Sequence, residues 1–216
     1  MSDAVEAFLL FFGSLFPIVN PPGSAFLFLA STRRLEPSLR SRLARRVAFY
    51  SLLIICGSQY LGAHILSLFG VSIYALRMGG GLVLAVAGYR MLNDRGDETP
   101  PEIAQATGNA KTDIAFYPLT IPLTVGPGSI AVTIALGSGH AGAGGAASLG
   151  GLLAAVTIAA TIYVCYRSAE RMQSLLGQTL ADALTRLFAL ILLCVGIEIM
   201  MKGLVEGLST LGISIK

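Results

Sequence analysis

Six apolar stretches, each near the length that crosses a bilayer, make up most of this chain. A helix needs about 20 mostly apolar residues to span hydrocarbon. The stretches run from Val5 to Ala30, Val47 to Phe69, Val71 to Leu92, Ile114 to Leu136, Gly151 to Tyr166 and Ala183 to Val205. The fifth is short and is expected to begin earlier, within GAASLGG. Of the 216 residues 54% are hydrophobic and 12% charged, and mean hydropathy is +0.74. A soluble domain carries about 25% charge, so this chain cannot cover itself with a polar surface. The composition implies an all-α integral membrane protein in contact with a lipid bilayer. The N-terminal MSDAVEAFLLFF is acidic and lacks the basic region of a cleaved leader, so its apolar run is expected to stay as the first span.

Basic residues set the expected orientation. The segment STRRLEPSLRSRLARR, from Ser31 to Arg46, carries six arginines. Arg90, Arg95 and Lys111 follow the third span, and Arg167, Arg171 and Arg186 lie after the fifth. These sites hold 12 of the 15 basic residues, and all fall on one side of a six-span chain. By the positive-inside rule that side is cytoplasmic and both termini lie outside. Between two spans an arginine cluster serves orientation and contact with anionic headgroups, so no nucleic-acid partner is expected.

Two of the spans contain prolines where a helix should be continuous. PIVNPPGSAF begins at Pro17 and PLTVGPGSIA at Pro122. A shift of 105 residues lays Pro17 on Pro122, Pro22 on Pro127, Gly23 on Gly128 and Ser24 on Ser129. A slightly larger shift lays Arg77 on Arg186 and Met91 on Met200. The chain thus reads as two three-helix repeats, residues 1–92 and 114–216, joined by a cytoplasmic linker at 93–113. Three is odd, so the second repeat enters the membrane inverted, a recurring plan of secondary transporters.

Proline removes a backbone donor and clashes with the preceding turn, and Gly23 and Gly128 are expected to relieve the local geometry. Freed backbone groups are tolerated at membrane depth only where protein, water or ligand satisfies them. The first and fourth helices are therefore expected to break at mid-membrane and to face each other across a polar cavity. New half-helices would begin near Ser24 and Ser129, and two helix N-termini form a seat for a carboxylate. Carbonyls near Val19 and Val125 suit an ammonium group. The expected substrate site is Asn20, Pro21, Pro22, Gly23 and Ser24 with Thr120, Thr124, Gly126, Pro127, Gly128 and Ser129. No Asp or Glu lies in either break. That favours a small zwitterionic amino acid over a cation.

These motifs carry a resemblance. FPIVNPPGSAFLFL and FYPLTIPLTVGPGSI are similar to the paired signatures of the MarC family, also described as small neutral amino-acid transporters of the NAAT type. RMGGGLVLAVAGYRML resembles the glycine-rich third span of that family. The resemblance covers nearly the whole chain. It implies a bacterial or archaeal cytoplasmic-membrane protein with six spans, related to the exporter superfamily typified by lysine exporters. Glu198 stands where a neutral amide is expected in that family.

Ionisable groups inside a membrane are paired or functional. Arg77 and Glu198 are expected at comparable depth, as an ion pair or a coupling site, with Lys202 a second candidate partner for Glu198. A proton or a cation is the candidate coupling species. Gln59 and His64 are candidates to line a cavity. MGGG and the Gly203–Gly207 spacing suit close helix packing, within one copy or in a homo-oligomer. Cys56, Cys165 and Cys194 are scattered, and neither they nor His64 and His140 have metal-ligand spacing. No cofactor is expected. GPGSI and LGSGH both miss the spacing of an intramembrane serine nucleophile, so an enzyme is not expected. The leading reading is a secondary transporter of glycine- or alanine-like substrates, working by alternating access. The alternative is a passive channel or a membrane sensor.

Overall fold

The structure, a computed structural model, describes residues 3–33, 35–93, 114–139, 144–210 and 212. Among these residues it is all-helical, with eight helices in chain order. They are α1 (Asp3–Val19), α2 (Pro21–Thr32), α3 (Pro37–Leu68), α4 (Ile73–Asn93), α5 (Ala115–Thr124), α6 (Pro127–Gly139), α7 (Gly144–Arg167) and α8 (Ala169–Thr210). The linker at 93–113 lies almost wholly outside the described residues, as do His140 and Lys216.

Among the described residues, four segments are long and apolar enough to cross a membrane: Asp3–Thr32, Pro37–Leu68, Gly145–Arg167 and Arg186–Thr210. The bent pair Ala115–Thr124 and Pro127–Ser138, at 71°, makes a fifth when counted as one span. The third expected span forms α4 but falls short of that apolarity, because Arg77, Arg90 and the three glycines at 79–81 dilute its aliphatic residues.

The first break falls at Asn20, which takes the left-handed conformation at φ 46° and ψ 61°. Asparagine tolerates that region better than other residues with a Cβ. Pro21 and Pro22 then open α2, where their missing N–H groups would have had no helical partner. Pro17, by contrast, is absorbed inside α1. The second break is more extended. α5 has wide turns and is interrupted at Tyr117 and Ile121, whose backbones are extended. Each precedes a proline, whose ring drives the residue before it out of the helical region. Val125 is extended as well, and α6 starts at Pro127.

The half-helices therefore begin at Pro21 and Pro127, earlier than the expected Ser24 and Ser129. Pro21 and Pro127 are helix starters here rather than mid-helix interruptions. Gly23 and Gly128 keep φ outside the left-handed region, contrary to the expectation that glycine relieves the break. Asn20 does that in the first break.

α1 packs on α6 and α7, and α2 on α5, α7 and α8. α3 packs on α5, α6 and α7, and α4 on α6. The core gathers Phe11, Leu15, Phe28, Ile55, Leu119 and Ile158 from these elements. The α4–α8 pair is antiparallel and very close. A Cβ on Gly81 would stand 2.6 Å from the Gly196 carbonyl oxygen, and one on Gly203 would stand 2.8 Å from that of Tyr74. The glycines at 79–81 and 203–207 thus include true packing positions, as small residues at helix interfaces do.

Candidate functional site

The first break closes on itself. The Asn20 N–H donates to the Phe16 carbonyl at 2.9 Å, and the Ser24 N–H donates to the Asn20 carbonyl at 2.9 Å. The Gly23 N–H donates to the Asn20 side-chain oxygen at 3.2 Å. A Cβ on Gly23 would run into that Asn20 amide, so the cap needs glycine there. Pro21 and Pro22 have no N–H. The N-terminus of α2 thus has its first donors already bonded or absent. The expectation of a free anion seat at this end is corrected: an asparagine cap and two prolines occupy it.

The second break stays open at the helix start. The first helical bond of α6 runs from Ile130 N–H to the Gly126 carbonyl, at 3.2 Å. The N–H groups of Gly128 and Ser129 precede that bond, and both residues are buried. The Ser129 hydroxyl donates to the Gly126 carbonyl at 2.9 Å, and Thr133 donates to the Ser129 carbonyl at 2.7 Å. A Cβ on Gly128 would collide with Leu84 of α4. Backbone approaches a neighbouring helix closely here, and a larger residue would close that gap.

Hydroxyl groups join the two breaks. Thr120 donates to the Ala115 carbonyl and Thr124 to the Leu119 carbonyl, each at 2.6 Å, both filling the wide turns of α5. Ser24 donates to the Val19 carbonyl at 2.9 Å. Between them stands Tyr166 of α7, 1% exposed and stacked on Phe28 at 4.5 Å. Its hydroxyl lies 2.7 Å from the Thr124 hydroxyl, with the Ser24 side chain close by.

Tyr166, to which the sequence assigned no role, thus links the two broken helices, stacking on Phe28 of α2 and bonding Thr124 of α5. Nothing in TIYVCYR sets Tyr166 apart from Tyr163; only the tertiary contact does. Tyr166 is the penultimate residue of α7, so the network sits toward that helix's basic end rather than its centre. Asn20, Thr120 and Ser129 are buried nearby on the same two broken helices. Pro22 and Gly126 are half-buried, and Pro127 is exposed.

Arg77 and Glu198 do not meet. Arg77 pairs with Glu206, and Glu198 pairs with Lys202 at 3.2 Å. The antiparallel register explains this. Gly81 faces Gly196 and Met200, so Arg77, one turn earlier, faces Gly203 and reaches Glu206 beyond it. Gln59 is buried against Gly137 and Gly151, with its side-chain oxygen lacking a hydrogen-bond partner, while His64 is exposed.

At the end bearing the arginines, Arg40 is 8% exposed and ties three elements together. It pairs with Glu170 of α8 and donates to the Thr32 and Leu35 carbonyls at 3.2 and 3.1 Å.

Comparison with known proteins agrees with this membrane architecture. Residues 5–208 match the family described as MarC family integral membrane protein. The chain is 31% identical over 195 residues to the UPF0056 membrane protein YvbG of Bacillus subtilis, covering 89% of this chain and 92% of that one. It is 30% identical over 219 residues to the UPF0056 inner membrane protein MarC of Salmonella paratyphi B, covering 97% and 99%. The homologue of the same name in Citrobacter koseri is 29% identical over the same span. No solved structure matches the chain. With a family match over nearly its full length and relatives covered end to end, the chain belongs to the MarC family of integral membrane proteins.

Proposed function

We propose that the protein is a secondary transporter of small neutral amino acids in the bacterial cytoplasmic membrane, with its substrate site between the two broken helices. The observation that carries this reading is Tyr166, which stacks on Phe28 of α2 and bonds Thr124 of α5, beside the open start of α6. The substrate carboxylate takes the Gly128 and Ser129 N–H groups, where the helix dipole favours an anion. The ammonium group takes the hydroxyl oxygens and carbonyls around Tyr166. The site is asymmetric: the asparagine-capped start of α2 supports it, and α6 supplies the anion contact.

An inverted repeat of six spans supports alternating access. Exchange α1 with α5, α2 with α6, α3 with α7 and α4 with α8. The α1–α6 contact becomes α5–α2, α1–α7 becomes α5–α3, α2–α7 becomes α6–α3, and α2–α8 becomes α6–α4; each of these pairs is in contact. Such exchange is what two halves rocking about a shared site require. α4 counts as the third of six spans in this reading, its Arg77 paired with Glu206 of α8. Both termini lie outside.

Counterflow in proteoliposomes tests the proposal. Vesicles loaded with unlabelled alanine or glycine should accumulate the labelled amino acid transiently. Equilibration without overshoot would mean a passive channel, and no flux for any neutral amino acid would point to a sensor.

A further inference from the structure

α8 meets α4 through Ala189, Leu193, Gly196, Met200 and Gly203. The opposite face presents Ile191, Cys194, Glu198, Met201, Lys202 and Val205, all at least partly exposed. Glu198 is the middle residue of the apolar segment Arg186–Thr210. Its carboxylate lies 3.2 Å from the Lys202 ammonium one turn on, and the two side chains are 64% and 66% exposed. Of the apolar stretch of this segment 17% is buried within the chain, against 39% for α7. A charged pair facing acyl chains at the middle of a span is costly, and intramembrane charges almost always face protein or a water-filled cavity. Lysine can snorkel toward the interface, but a glutamate at the centre is too short to do so.

We propose that this face of α8 packs against the same face of a second copy of the chain, forming a homodimer in which Glu198 of each copy meets Lys202 of the other. The patch is self-complementary. It carries one negative and one positive charge a turn apart and is otherwise apolar apart from Cys194. A two-fold axis along the membrane normal keeps both copies in one orientation and sets like positions of α8 side by side. Residues then meet their own counterparts and those one turn away, which places Glu198 against Lys202 twice. Cys194, one turn before Glu198, lies close to its counterpart. The inference is independent of what the protein transports.

Oxidative crosslinking of the full chain in native membranes tests it, because Cys194 is exposed while Cys56 and Cys165 are half-buried. A reducible dimer should form, persist in Cys56→Ser/Cys165→Ser and disappear in Cys194→Ser. Its yield should hold as the protein is diluted with lipid. Glu198→Lys sets like charges across the interface and should lower the yield several-fold, with Lys202→Glu alone doing the same. Combining the two reversals should restore it. Absence of a Cys194 dimer while a maleimide still labels that thiol would overturn the proposal. So would a yield that falls with dilution, or reversals that leave the yield unchanged.

Discussion

At the residue scale, the first break rests on one asparagine. Asn20 holds a left-handed backbone and caps the Gly23 N–H. Alanine loses both advantages. The left-handed conformation costs about 1–2 kcal/mol for a residue with a Cβ, and a lost cap costs about 1 kcal/mol. Asn20→Ala should therefore lower stability in detergent by about 2–3 kcal/mol by those two terms. Asn20→Gly keeps the backbone freedom and should cost only a few tenths of that cap energy. Thermal unfolding of the two variants checks the order; equal losses would show that the left-handed backbone is not what matters. Tyr166→Phe removes the hydroxyl bonded to Thr124 but keeps the ring on Phe28. It should cost about 1 kcal/mol of stability and weaken alanine binding, measured by competition in vesicles. Unchanged binding would remove Tyr166 from the site.

At the scale of elements, α4 and α8 show what the glycines do. Gly81 faces the α8 backbone, while Gly79 has open space where a Cβ would go. Gly81→Leu should destabilise by about 1–3 kcal/mol or more through overpacking. Gly79→Leu should be neutral or slightly stabilising, because leucine favours a helix by just under about 1 kcal/mol over glycine. Similar melting temperatures for both would contradict the antiparallel register. The breaks were legible in the sequence because proline acts locally, and the apolar stretches because hydrocarbon thickness sets their length. The Asn20 cap was less legible: it depends on which residue takes the left-handed backbone, and Gly23 was the simpler choice. The Arg77 partner was not legible, because it follows from an interhelix register set by which glycine meets which backbone. Tyr166 was hidden for the same reason, since its partners lie 42 residues away on α5 and on α2.

For the whole molecule, the membrane orientation and the substrate site stand together. A reporter placed after Lys216 should lie outside the cytoplasm, and one in the 93–113 linker should lie inside. A cytoplasmic C-terminus would remove the inversion of the second repeat and with it the alternating-access reading. The central claim is that the paired breaks seat a free amino acid by its two charges. Competition against labelled alanine, on folded protein in sealed vesicles, tests that claim most directly. Unlabelled alanine should displace the label, alaninamide should not because it lacks the carboxylate that α6 attracts, and Gly128→Leu should lose binding because the added side chain meets Leu84. Displacement by alaninamide as effective as by alanine, or full binding in Gly128→Leu, would contradict the account and leave the breaks as packing or hinge features.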